Sequence, residues 1–138
     1  MSTFIHMKEK VYSFNRQEKL KSRKQIREVF ETGKSFSHFP FRVLYLQVNE
    51  NPSNLQAAFS VSTKHFKLAV DRNRIRRLMR EAYRLQKQPL LTELQNKQIH
   101  CVIFFIYTGS QLPKFYDIKS GIGGVLERVL EKALNGEI

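Results

Sequence analysis

Apolar residues along this chain change their spacing several times, and each change marks a predicted element. Ser22 opens a helix, with Gln25 three residues on at capping-box spacing. Ile26, Val29 and Phe30 form its apolar stripe, and Gly33 ends it. Phe41–Val48 (FRVLYLQV) is rich in β-formers and predicts a strand. The cluster NENPSN at 49–54 is a turn. Leu55–Val61 then alternates, with Leu55, Ala57, Phe59 and Val61 on one face and Gln56, Ala58 and Ser60 on the other. These two strands are expected to pair as an antiparallel hairpin. A connection over 62–70 leads into a long helix over 71–87, stopped by Pro89, and 90–97 predicts another helical turn or two. Residues 99–107 (IHCVIFFIY) are almost continuously apolar, which suits a central strand covered on both faces. After a loop at 108–113, a last helix runs over 118–134 with Ile122, Val125, Leu126, Val129 and Leu130 inward. Gly121, Gly123 and Gly124 weaken its first turns. Residues 1–15 show no clean period and read as a flexible arm. Residues 16–138 read as a single domain, an α/β (α+β) sandwich around one sheet, with no repeat or linker.

Charge changes this picture. The 138 residues carry 24 Lys and Arg against 12 Asp and Glu, a formal net charge of +12. The excess sits in two places. Segment 8–27 holds eight basic residues and two acids; segment 64–87 holds nine and two; the remainder is nearly balanced. A small domain this basic implies a polyanionic partner, either nucleic acid or an anionic membrane surface. No apolar run approaches the roughly 20 residues of a membrane helix, and the N-terminus lacks a signal-peptide pattern. The chain is therefore expected to be soluble and cytoplasmic. Its single cysteine, Cys101, excludes an intrachain disulfide and a cysteine-rich zinc site, and its apolar surroundings predict a buried core residue.

The long helix favours nucleic acid. At about 100° per residue, Ile75, Leu78, Met79, Ala82 and Leu85 share one face. Asn73, Arg76, Arg77, Arg80, Arg84 and Lys87 share the other, with Arg72 and Arg74 flanking it near the start. One face should cover the sheet, and the other is an arginine rail with few acids to neutralise it. A guanidinium can hold two phosphate oxygens and can stack on bases. A membrane-surface helix would need its apolar stripe free, and here the sheet claims that stripe.

At this point the residues resemble a known family. KHFKLAVDRNRIRRLMREAYRL (64–85) resembles the signature of the ribonuclease P protein component: a short basic loop, Ala-Val, Arg-Asn-Arg, then an alternating arginine and aliphatic helix. EKLKSRKQIREVFETGKSF (18–36) resembles that family's first helix and glycine turn, and FSVSTK (59–64) the strand before the signature loop. The resemblance covers most of 14–107 in order. It implies one mixed sheet of about four strands with three helices, and a left-handed βαβ crossover through the arginine helix. It implies a role in removing the 5′ leader from precursor tRNA, with catalysis by an RNA subunit. By position, Lys64, Lys67, Arg72, Asn73, Arg74, Arg76, Arg77, Arg80 and Arg84 would meet the catalytic RNA. A leader cleft between the first helix and the sheet would be lined by Phe30 and by Ile26, which stands where many members carry a second aromatic. Phe41 or Tyr45 would lie on the strand side. The implied partners are the RNA subunit and precursor tRNA, with no membrane. The protein itself would bind no cofactor, and Mg2+ would belong to the RNA–protein holoenzyme.

A self-sufficient nuclease would need clustered carboxylates to hold metal ions. Only Glu28/Glu31 and Glu127/Glu131 are close helical pairs, and both read as solvated charges. His6, His38, His65 and His100 fall in four separate segments without ligand spacing. No phosphate loop or nucleophile elbow is present. No catalytic residue and no metal ligand is therefore assigned. The alternative is a ribosomal protein-like or RNA-chaperone module, from which the ordered match over 18–85 separates this chain.

Overall fold

In the computed structural model, which describes residues 12–138, each element forms where side-chain spacing and local caps allow it. A short 3-10 turn, Arg16–Glu18, precedes α1 (Arg23–Thr32), β1 (Lys34–His38), β2 (Phe41–Val48) and β3 (Leu55–Val61). Then come α2 (Ala69–Gln86), α3 (Gln88–Lys97), β4 (His100–Tyr107) and α4 (Phe115–Leu134). The Ser22 hydroxyl accepts from the Gln25 backbone N–H at 3.3 Å and caps α1. The reciprocal half of a capping box is replaced, because the Gln25 side chain bonds Asn51 instead. Gly33 ends α1 with φ of −71°, so glycine is not there for a left-handed turn. It is there for space: a Cβ would lie 2.4 Å from the Val29 carbonyl oxygen. Pro89, expected to stop one helix, sits in the first turn of the next, where its missing N–H costs nothing. That makes α3 a full ten-residue helix and gives four α-helices rather than three.

The strands run in the order β1-β2-β4-β3, all neighbours antiparallel except β3 and β4. The expected hairpin between β2 and β3 does not form. Both strands have the predicted limits, but β4 lies between them, and β2 pairs with β1 instead. The physical reason is burial. β4 is apolar on both faces from Cys101 onward and loses least to water at the centre, whereas β2 carries Arg42 and Gln47 and β3 carries Gln56 and Ser60. β1, with Phe36 as its only apolar residue, carries no strand signal of its own and becomes the edge. The parallel β3–β4 pair encloses α2 and α3 as one crossover unit.

The two sheet faces are covered unequally. On one, Phe41, Val43, Tyr45, Leu55, Ala57, Val61, Cys101, Ile103, Phe105 and Tyr107 pack on α2, α3 and α4 through Ile75, Met79, Tyr83, Leu90, Leu94, Ile122 and Val125. Close approach of α4 requires Gly121, where a Cβ would lie 2.7 Å from the Phe41 ring. On the other face only α1 and Leu20 cover Leu44 and Val102, leaving Ala58, Phe104 and Ile106 partly open.

The N-terminal segment departs from expectation. Residues 1–11 of the predicted arm lie outside the described residues, but 12–15 are tied down. Phe14 packs edge-on against Phe59 and Tyr83, at 5.9 and 5.4 Å between ring centres. Leu20 N–H donates to the Ala57 carbonyl at 2.9 Å, so the segment pairs with the outer edge of β3 and shields it.

Candidate RNA-binding surfaces

Helix α2 presents two of its predicted faces as read. Ile75, Met79 and Ala82 are buried, and Leu78 and Leu85 half-buried. Tyr83, which the wheel places beside the arginine face, is also fully buried, and burial pushes its hydroxyl well above its ordinary value. Arg74, Arg77 and Arg80 are exposed and make no hydrogen bond or ion pair among the described residues. Asn73 is exposed and accepts from Arg76. These residues form the open part of the rail.

The ends of the rail differ from the sequence expectation. Lys87 is buried, not on the rail. Its ammonium donates to the Ser13 carbonyl and pairs with the Glu18 carboxylate, itself buried. Lys87 stands on the wheel beside Tyr83, and the segment carrying Phe14 and Glu18 covers that flank, so the long side chain is enclosed. Arg84 is partly committed: its guanidinium pairs with Glu81 at 2.6 Å and donates to the Tyr12 carbonyl at 2.8 Å. The hydrogen bond from Arg84 holds the Glu81 carboxyl below its usual range. At the other end, Arg72 donates to the carbonyls of Phe66 and Lys67, each at 2.8 Å. This contact fastens the loop before α2, with Phe66 buried and Lys64 and Lys67 left exposed. Arg72 thus ties the loop that exposes Lys64 and Lys67 to the start of the helix that exposes Arg74, Arg77 and Arg80.

The second surface lies on the less covered sheet face. Phe30 remains 51% exposed although its ring meets Phe104 edge-on at 5.0 Å between centres. A core residue would be closed over, so this ring is an open part of the α1 side of the sheet. Ile26 lies in the same cluster, half-buried. Phe41 and Tyr45 do not line the cleft. They are 1% and 3% exposed and belong to the opposite face, packed under α2 and α4. Alternation along β2 puts Leu44 on the cleft side, and the register places Phe104 opposite both Leu44 and Ala58. The strand side of the cleft is thus Leu44, Phe104 and Ile106, with exposed Arg42 on the same face beside Ile106. Phe104 was missed because its strand is apolar on both faces from Cys101 onward and so gives no sign of its facing. The N-terminal end of α1 adjoins a hollow of about 480 Å³. Arg16, Lys19 and Lys21 line it with the amides of Gln25, Asn51 and Gln56. This groups part of the first basic segment beside the cleft.

Among the described residues no three His, Cys, Asp or Glu side chains gather as a metal site. Nor, among them, is any helix long and apolar enough to cross a membrane. Cys101 is buried and its thiol is pushed up to about 12 by burial.

Known proteins resemble this chain over most of its length. The Ribonuclease P family model matches residues 14–129. A ribonuclease P protein component from Porphyromonas gingivalis is 37% identical over 124 residues, 89% of this chain and 85% of that protein. One from Clostridioides difficile is 34% identical over 115 residues, 83% of this chain and 94% of that protein. Among solved structures, a Staphylococcus aureus RNase P protein mutant superposes with a TM-score of 0.66 at 23% identity, covering 92% of this chain and 95% of that one. A Thermotoga maritima RNase P protein superposes with a TM-score of 0.60 at 21% identity, covering 80% and 98%. The structures share the fold and the sequences share the family, so the chain belongs to the ribonuclease P protein component family.

Proposed function

We propose that this subunit of ribonuclease P divides its binding between two RNA partners. The open arginine face of α2, with Lys64 and Lys67, docks on the RNA subunit. The cleft between α1 and the sheet takes the single-stranded 5′ leader of precursor tRNA. The observation that carries this is the pairing of two chemically different surfaces on different sides of one sheet. One is a helix face whose exposed Arg74, Arg77 and Arg80 have no partner among the described residues, suited to phosphates held in a fixed shape. The other is a half-open aromatic cleft with cations beside it, suited to flexible bases. Catalysis is assigned to the RNA subunit. The protein's described residues offer no carboxylate cluster that fits a catalytic Mg2+, so they act by binding and positioning. A ribosomal protein-like or chaperone role would leave the leader cleft without a use. The test is reconstitution: the protein should restore cleavage of precursor tRNA by the RNA subunit at low Mg2+ and cleave nothing alone. Cleavage by the purified protein, or no effect on the RNA-only reaction, would sink the proposal.

A further inference from the structure

A third surface lies where β4 ends and α4 begins. A groove of about 590 Å³ runs there between the β1–β2 turn, the loop after β4 and the first turns of α4. Its rim carries Phe39, 84% exposed, and Tyr116, 76% exposed, with Leu112 between the same walls at 49%. Such exposure of two aromatic rings around one hollow marks a partner site in a protein of this size. Polar groups line the groove as well, among them the Asp117 carboxyl and the Ser120 hydroxyl.

The neighbourhood indicates what the groove takes. Tyr107, one of its walls, packs on Phe66 at 6.0 Å between ring centres, and the Ser62 N–H donates to the Tyr107 carbonyl at 3.3 Å. The groove therefore shares a wall with the loop that presents Lys64 and Lys67. Lys114, exposed at the start of α4, follows the lining residue Pro113 and adds a charge near the groove. Nearby cations suit phosphates, flat exposed rings suit base stacking, and hydroxyl and carboxylate groups suit the edge of a base. A second copy of this chain would bring another +12 to the same place, which disfavours self-association.

We infer that Phe39 and Tyr116 clamp an unpaired nucleobase of the RNA subunit, extending the arginine-face interface around the start of α2. Asp117 accepts from an amino group on the edge of that base. This inference rests on the proposed docking of α2 to the RNA subunit, and the test separates the two.

Phe39→Ala and Tyr116→Ala, in the full chain, should each weaken assembly with the RNA subunit by on the order of tenfold, the effect of losing one stacked base. Tyr116→Phe should keep wild-type assembly. Melting temperature should not move, because both rings are mostly in solvent. The preference for leader-bearing precursor over mature tRNA should also stay. The chain has no tryptophan, so Tyr116→Trp places a single indole at the rim, and its emission should be quenched on assembly. Variants that assemble like wild type while the wild type binds tightly would overturn the base clamp and leave the arginine-face reading standing. A wild type that fails to bind the RNA subunit would overturn both. Loss of leader preference, or a wild-type dimer that the variants break, would assign the groove elsewhere and overturn the inference.

Discussion

Arg77 and Arg80 differ from Arg84 in what their guanidinium groups already hold. Arg84 is engaged by Glu81 and the Tyr12 carbonyl, while Arg77 and Arg80 stand exposed without a partner among the described residues. Lysine in place of either keeps the charge and loses the planar fork. Arg77→Lys and Arg80→Lys should each weaken assembly with the RNA subunit by about 1 kcal/mol, with an unchanged melting temperature. Equal assembly by the lysine variants would reduce the rail to bare charge. Cys101 makes a different prediction. Burial raises its thiol from the ordinary 9.0 to about 12, so the folded state resists the thiolate. Its contribution is complete below pH 9 and is lost as pH rises towards 12, at about 1.4 kcal/mol per unit. Tyr83 acts in the same direction at higher pH. Urea midpoints taken at pH 8 and about pH 10.5 should fall more for the wild type than for Cys101→Ala; equal falls would acquit the thiol.

At the scale of elements, the segment before α1 acts as a strap joining the end of α2 to the edge of β3. Its fastening is the buried Lys87–Glu18 pair, with Phe14 beside it. Removing one member of a buried pair leaves a bare charge, so Glu18→Gln or Lys87→Met should each destabilise the fold by about 3–5 kcal/mol. The double variant Glu18→Leu/Lys87→Met should recover much of that loss in urea denaturation. Two additive losses would mean that each side chain acts alone. The strap also shows what was legible beforehand. Helix α1 and strands β2 and β3 were readable almost to the residue, because their caps, turns and spacings are local. The pairing of β2 with β4, the burial of Lys87 and the facing of Phe41 and Tyr45 were not. Each depends on a segment distant in the chain: β4 inserting between two strands, or Phe14 and Glu18 closing over a helix flank. The cleft role of Phe30 came from the family resemblance, and the fold leaves its ring 51% exposed beside Phe104. Phe30→Ala should weaken binding of leader-bearing precursor relative to mature tRNA by about 1–3 kcal/mol. Equal weakening of both substrates would return Phe30 to a packing role.

For the whole molecule, the net charge of +12 is distributed between places that the sheet holds apart. Arg74, Arg77 and Arg80 lie on a helix packed against one face. Arg16, Lys19 and Lys21 line the hollow beside α1, on the other. If each group meets a different RNA, the salt dependence of binding separates into two independent parts. Every phosphate contact adds about 0.9 to the log–log salt slope on duplex RNA-like geometry and about 0.7 on a single strand. Arg74→Ala or Arg77→Ala should lower the slope for assembly with the RNA subunit by about 0.9 and leave the precursor-to-mature affinity ratio unchanged at every salt concentration. Lys19→Ala or Lys21→Ala should leave assembly nearly untouched. They should lower the salt slope of that ratio by about 0.7, and only for precursors whose leader is long enough to reach the hollow. Both measurements use titrations from low to physiological salt. If either set of variants shifts both slopes alike, the charge works as one undivided field, and the division of labour between the two sides of the sheet is wrong.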